Sequence, residues 1–212
     1  MRIRWYGHAC FLFINSEGKK ILTDPFDSSV GYPLPDVEPD IVTVSHEHFD
    51  HNAVHILKGN PIVVQGEGET QINNVKIKGF NTFHDEEGGK KRGVNTIYLI
   101  ETDEIKILHL GDLGHVLTNE YKEKVGEVNI LCIPVGGTFT IDASSAIKVV
   151  ELIKPNIVIP MHYKTPHLKF DLAKVDDFVN EVSYPVKRFE EKEIEVNKNN
   201  IPSSTEVWVL SY

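Results

Sequence analysis

His46-Glu47-His48-Phe49-Asp50-His51 follows one residue after the apolar run Ile41-Val42-Thr43-Val44. A continuous apolar run of this length reads as a buried strand. In an extended chain, residues i and i+2 face the same side. His46 and His48 can therefore present their imidazoles to one point. Asp50 and His51 then curl toward a short helix, predicted over 52–57 with Asn52 as its cap, and can serve a second point nearby. Imidazoles and a carboxylate in this number suit Zn²⁺, and also Mn²⁺ or Fe²⁺. A surface histidine patch is the competing reading, and the rarity of H-x-H-x-D-H at this composition stands against it. The zincin helix motif is excluded, because the residue four after His46 is Asp50 rather than histidine.

Outward from this stretch the chain reads as strands with few helices. Upstream, 3–6, 10–15 and 20–23 are short β-rich runs separated by Gly7 and by Ser16-Glu17-Gly18. Residues 27–39 carry Gly31, Pro33, Pro35 and Pro39 and read as loop. Downstream, strands are predicted over 61–65, 75–83, 94–100, 105–110, 128–135, 157–159, 188–196 and 206–210. Helices are predicted over 118–124, 142–153 and 171–182. The second is the clearest: Asp142 can cap it, and Ala146, Val149, Val150 and Ile153 recur at helical spacing. Two sheets packed face to face with helices outside satisfy this order. No linker divides the chain, so one domain over 1–212 is expected.

Composition bounds the function. The 212 residues are 41% hydrophobic and 25% charged, which supports one substantial core and rules out disorder, collagen and coiled coil. The formal net charge of −9 makes the chain a poor general binder of nucleic acid, which needs a basic face. Cys10 and Cys132 each lie in an apolar run and read as buried thiols, as suits a reducing compartment. Met1-Arg2-Ile3-Arg4-Trp5 lacks the apolar core of a signal peptide, and no stretch is long enough to span a bilayer. A cytoplasmic location and no membrane partner are expected.

The sequence His46-x-His48-x-Asp50-His51 resembles the signature of the metallo-β-lactamase superfamily. The resemblance implies a four-layer αββα sandwich with a two-metal site, most simply zinc, at one edge of the sheets. It extends downstream in order. His84, in Asn81-Thr82-Phe83-His84, matches the histidine that joins His46 and His48 on the first metal. Asp112, in Leu110-Gly111-Asp112, matches the bridging carboxylate. His162, in Ile159-Pro160-Met161-His162, matches the histidine that joins Asp50 and His51 on the second metal. Gly7-His8-Ala9-Cys10-Phe11-Leu12 and Leu22-Thr23-Asp24-Pro25 are similar to the branch containing L-ascorbate-6-phosphate lactonase and its hydrolase relatives.

The resemblance implies a hydrolase in which a hydroxide shared by two metals attacks an ester, lactone or similar bond of a small substrate, including a phosphorylated one. Two metals about 3.5–4 Å apart can share one carboxylate and lower the pKa of water to about 7. Asp50 and Asp112 carry the catalytic roles. His115, three residues past Asp112, is a candidate proton donor. No Ser-His-Asp or G-x-S-x-G arrangement offers another nucleophile. Asp24 reads as a residue orienting a ligand histidine. His8 has two readings, a pocket or ligand-supporting residue and an ordinary hydrogen-bonded loop histidine. His109 reads as structural, and His55 and His167 as surface residues. Lys90, Lys91 and Arg92, between Gly88-Gly89 and Gly93, are either an anion site at the pocket mouth or a solvated hairpin tip.

Other function classes compete. A phosphodiesterase of the same superfamily acting on small molecules fits the same ligands. An iron redox enzyme like the flavodiiron branch is disfavoured, since that branch has Glu where His48 stands. A non-catalytic metal-binding protein is the remaining alternative.

Overall fold

Gly7 and the short turn after it fold the N-terminal strand back on its neighbour. In the computed structural model, which describes residues 1–212, β1 (Arg2–Gly7) pairs antiparallel with β2 (Cys10–Ile14). β2 pairs antiparallel with β3 (Lys20–Thr23), and β4 (Ile41–Val44) and β5 (Ile62–Gln65) add on in parallel. The late strand β13 (Glu193–Glu195) closes the other edge of this six-stranded sheet. The second sheet has eight strands. β6 (Gly68–Ile72), β7 (Val75–Phe83), β8 (Val94–Thr102) and β9 (Ile105–His109) form an antiparallel meander. β10 (Ile130–Pro134), β11 (Ile157–Met161) and β14 (Glu206–Val209) continue it in parallel, with β12 (Val186–Arg188) at the edge.

The two sheets share one core. Ile3, Phe11, Phe13 and Ile41 of the first belong to the same apolar cluster as Ile97, Ile100, Leu108 and Ile133 of the second. Helices α1 (Asn119–Val125), α2 (Ala143–Ile153) and α3 (Val175–Glu181) complete the fold. α2 buries Ala146, Val149, Val150 and Ile153 into the main cluster, and the Asp142 carboxylate caps it by accepting the Ser145 N–H at 2.8 Å. The opposite face of the first sheet buries Cys10, Leu12, Leu22, Val42 and Val44 in a smaller cluster. Phe26, Val30, Tyr32, Leu168 and Leu172 cover it, so on this side the outer layer is loop. The two packed sheets with helices outside are the α/β sandwich expected from the sequence, with loop taking the place of the outer helix layer over the first sheet. No helix is long and apolar enough to cross a membrane.

Local departures have physical causes. The helix expected over 52–57 is one 3₁₀ turn, Val54–Ile56, entered from Ala53. The turn buries no side chain whose packing could repay helix nucleation, and the Asn52 amide donates instead to Glu47 at 2.6 Å. The helix expected from 171 begins at Val175, because Ala173 donates its N–H to the Gly136 carbonyl. The strand expected over 188–196 is two, β12 and β13, in different sheets.

His109 is fully buried on β9. Its Nε2–H donates to the Ala9 carbonyl at 2.8 Å and its Nδ1 accepts the Gly111 N–H at 3.3 Å, a tautomer assigned from these partners. Burial lowers its pKa against the opposing charge of Asp24. A histidine kept neutral in the fold leaves the unfolded chain binding the extra proton. Its stabilisation is therefore complete above the unfolded value of about 6.5 and falls away below it. His109→Gln is expected to flatten the acid slope of unfolding free energy by up to about 1.4 kcal/mol per pH unit. Urea denaturation of chelator-treated protein at stepped pH checks this, and an unchanged slope would contradict it.

Candidate metal centre

The site lies where β1, β4, β7, β9 and β11 end. β4 runs into Ser45 and His46, β7 into His84, β9 into Leu110-Gly111-Asp112, and β11 into His162, while the turn after β1 supplies His8. Side chains from five distant parts of the sequence thus meet at one edge of the sandwich. The backbone there is unusual. His8, Asp24 and His162 all have positive φ, at 53°, 41° and 52°. Such conformations cost about 1 kcal/mol or more each and gather at functional sites. Gly111, also at φ 52°, admits no side chain, since a Cβ there would meet Asn95 and Ser45 at 2.5 Å.

Asp112 is the centre of the cluster. Its Oδ2 lies 3.2 Å from His51 Nε2, 3.3 Å from His84 Nε2, 3.3 Å from His162 Nε2 and 3.9 Å from His46 Nε2. The donor atoms fall into overlapping groups, each within 4.8 Å: His46, His48 and His84; His8, Asp50, His51 and His162; and His46, His51 and Asp112. The structure therefore brings together His46, His48, Asp50, His51, His84, Asp112 and His162. Most are buried, Asp50 is half-buried and His48 is exposed. The donor set fits a divalent metal of borderline softness. His46 Nε2, His51 Nε2 and Asp112 Oδ1 are buried without a hydrogen-bond partner. Buried polar atoms left this way are uncommon, and facing donors of this kind is the arrangement a cation would satisfy.

Charge in the cluster is arranged around Asp112 and His51. Burial works against the Asp112 carboxylate, yet His162 and His51 hold its pKa well below the ordinary range. Burial likewise works against a charged His51, yet Asp112 and Asp50 push its pKa well up. His46 goes the other way, down to about 3, through burial and the neighbouring His51. These are the groups for which protons and metal would compete.

Supporting residues fix the ligand rings. Asp24 is fully buried; its Oδ2 accepts His51 Nδ1–H at 3.0 Å and the Ser45 hydroxyl at 2.7 Å, and its Oδ1 accepts the Ser45 N–H at 2.8 Å. Ser45 Oγ lies 2.9 Å from His46 Nδ1, so one carboxylate sets two rings. His8 is buried, with Nε2 3.0 Å from Asp50 Oδ2 and its ring centroid 4.1 Å from that of His162. Burial and His162 push its pKa down to about 4, so the neutral ring donates Nε2–H to Asp50. Asp24→Ala is expected to weaken metal binding about 10–100-fold, as lost outer partners of ligand histidines do. Competition with a chromogenic chelator checks this, and unchanged affinity would deny Asp24 its orienting role.

His115 is not brought into the site. Its Nδ1–H donates to the Val116 carbonyl at 3.0 Å, and its Nε2 accepts the Phe83 N–H at 3.3 Å. Both nitrogens are used by backbone, and the ring packs beside Phe83 and Tyr121, away from the metal ligands. Three residues missed from sequence serve the site instead. Ser45 is described above. Asn95, buried near the start of β8, accepts the Asp112 N–H at 2.9 Å and donates to the Leu110 carbonyl at 3.0 Å, pinning the turn that carries Asp112. Its signal was a polar residue inside a buried strand. Asp85 accepts the N–H groups of Glu87, Gly89, Lys91 and Arg92 at 2.8–2.9 Å. Burial acts to raise its pKa, but these donors outweigh that and hold it at about 2. The backbone of the basic loop is thus tied down, while the side chains of Lys90, Lys91 and Arg92 stay exposed to solvent. Lys91 and Arg92 line a cavity with His84 and Asp112.

Known proteins share this fold. A family profile described as the β-lactamase superfamily domain matches residues 2–162. A metal-dependent hydrolase from Thermoplasma volcanium is 33% identical over 83% of this chain and 87% of its own length. Another from Thermococcus onnurineus is 33% identical over 78% and 85%. Among solved structures, a Thermotoga maritima protein, assigned as a Zn-dependent hydrolase, is 41% identical over 100% of both chains with a TM-score of 0.82. The isothiocyanate hydrolase from Delia radicum gut bacteria shares the fold, with a TM-score of 0.70 at 12% identity over 98% and 96% of the two chains. Together with the sandwich and its strand-end His/Asp cluster, these matches show that the chain belongs to the metallo-β-lactamase superfamily.

Proposed function

We propose that this chain, a metal-dependent hydrolase of its superfamily, uses two zinc ions to hydrolyse an ester, lactone or similar bond in a small substrate, phosphorylated substrates included. The observation that carries the reading is the position of Asp112. Its Oδ2 faces ring nitrogens of both donor groups at 3.2–3.9 Å, as a shared carboxylate requires. His46, His48 and His84 would hold one ion, and Asp50, His51 and His162 the other, with Asp112 between them. When bound, the ions supply Lewis acidity, lowering the pKa of water to about 7 and drawing charge from the scissile carbonyl.

The chain's own residues do the rest. Asp24 keeps Nδ1 of His51 protonated, which leaves Nε2 as the free donor. His8 holds Asp50 in place by donating to its Oδ2. Neither cysteine nor Ser45 offers a competing nucleophile, for burial pushes both the Cys10 and Cys132 thiols up, and the Ser45 hydroxyl is spent on Asp24. The net charge of −9 keeps polynucleotides from the substrate list.

Elemental analysis with a parallel hydrolysis screen tests the reading. A p-nitrophenyl ester, bis-p-nitrophenyl phosphate and a sugar-phosphate lactone would be offered with added Zn²⁺ or Mn²⁺. About two ions per chain and chelator-sensitive cleavage of the ester or lactone are expected. Preference for the phosphodiester would turn the assignment to a phosphodiesterase. Bound metal without turnover would point to a non-catalytic role.

A further inference from the structure

We propose that the substrate carries a flat apolar group and, close beside it, one anionic group, the first received by Phe49, Phe139 and Phe170 and the second by Arg92. The inference rests on the hydrolase reading above and names the substrate class for that same site.

A cavity of about 350 Å³ opens over the metal centre and includes His48, Asp50, His84 and Asp112 in its lining. That is the lower end of the range for small-molecule sites. Three aromatic rings and two basic side chains, Lys91 and Arg92, complete its wall. Phe49 and Phe139 are 52% and 39% exposed, large apolar side chains left to solvent at the mouth of a polar site. Phe170 stands between them, its ring centroid 6.3 Å from each and turned 86° and 76° to their planes. The three rings offer faces and edges to a flat ligand and no hydrogen-bonding atom to a polyhydroxylated one. Exposed apolar area of this kind marks a binding surface.

Of the basic residues 90–92, one is free to read charge. Lys90 is not part of the cavity wall, and Lys91 Nζ is held by Glu87 at 2.6 Å. Arg92 has no carboxylate partner. Its guanidinium lies over Phe139, 5.5 Å from the ring centroid, and one Nη2–H donates to the Thr138 carbonyl at 3.3 Å. The Asp85 carboxylate holds its backbone N–H at 2.8 Å, so the loop that presents it is anchored. The rest of the planar fork is left for a carboxylate or phosphate, which Arg can take with two parallel hydrogen bonds. Because Arg92 stacks on Phe139, the anion site adjoins the apolar site, and the two substrate groups must adjoin too.

The test uses metal-loaded full-length protein and four acetyl esters: ethyl acetate, phenyl acetate, 4-acetoxybenzoate and 4-acetoxyphenyl phosphate. Ratios between wild type and variant cancel the intrinsic reactivity of each ester. Phe139→Ala is expected to lower kcat/KM for the three aryl esters about tenfold more than for ethyl acetate. Arg92→Gln is expected to lower it for at least one anionic aryl ester about tenfold more than for phenyl acetate. Which anion responds distinguishes carboxylate from phosphate. A second arm needs no turnover. 4-Hydroxybenzoate or phenyl phosphate should raise the melting temperature more than acetate or inorganic phosphate does, and Arg92→Gln should remove the excess. Metal-loaded protein inert to all four esters would count against the hydrolase reading, and the binding arm would still decide this one. Uniform losses across the esters, or an aromatic-anion shift that survives Arg92→Gln, would overturn the proposal.

Discussion

On the proposed two-ion reading, Asp112→Ala is expected to abolish turnover, by at least about a thousandfold, and to take metal content from about two ions per chain to one or none. Its carboxylate faces both donor groups. Within 3.9 Å of its Oδ2 lie ring nitrogens of His46, His51, His84 and His162, contributed by three separate strand ends. Without that carboxylate, ions at the two positions would lose both a shared ligand and the negative charge between them. Asp112→Asn separates charge from shape, because it keeps the side chain's size and its backbone hydrogen bond from Asp112 N–H to Asn95. This second variant should fold and still lose the ions. Metal that binds only the folded state raises its melting temperature by mass action. Wild type should therefore lose thermal stability on treatment with chelator, and Asp112→Asn should be nearly indifferent to it. Retention of two ions and activity by either variant would refute the shared-carboxylate geometry.

How far the site was legible depends on the distance over which each residue acts. His46 and His48 come together as their spacing suggests, with ring centroids 4.5 Å apart, but on a bend, since the extended chain ends at Val44. Asp50 and His51 follow from the turn that ends it. His84, Asp112 and His162 have no local signature and came from a family pattern; each simply follows a strand, and only sheet order brings those ends together. The sandwich itself was legible because buried strands and the amphipathic α2 announce their faces. Edge strand β6 was not, since its residues are mostly exposed and it exists by pairing with β7. Asn95 escaped notice because its partners, the Leu110 carbonyl and the Asp112 N–H, are fifteen or more residues away. His115 misled for the opposite reason. It is near Asp112 in sequence, but the chain turns outward after Gly114 and backbone groups take both ring nitrogens.

Gly114 is the position where one methyl group is expected to do the most damage. A Cβ there would lie 2.2 Å from Asp85 N and 2.2 Å from His84 C, and both are backbone atoms. No rotamer change can relieve such a clash, so one of the two segments must move. Gly114 N–H also donates to the Phe83 carbonyl at 2.9 Å, clamping the end of β7 to the turn after Asp112. Gly114→Ala must therefore force His84 and Asp112 apart, though His84 Nε2 now lies 3.3 Å from Asp112 Oδ2. Overpacking of this kind costs about 1–3 kcal/mol. A misplacement of about 1 Å in a catalytic constellation can cost about a hundredfold in rate. The variant is expected to unfold earlier in urea, to bind metal more weakly and to lose about a hundredfold in activity. Gly88→Ala in the neighbouring loop is the control. Gly88 has φ 71°, but a Cβ there has open space around it. It bears only the strain of a left-handed alanine, about 1–2 kcal/mol, and should retain its metal. If both variants kept their metal, the close contact at Gly114 would not be what positions the ligands. If Gly114→Ala alone released metal, the contact between the two strand-end turns is what holds the ligands in register.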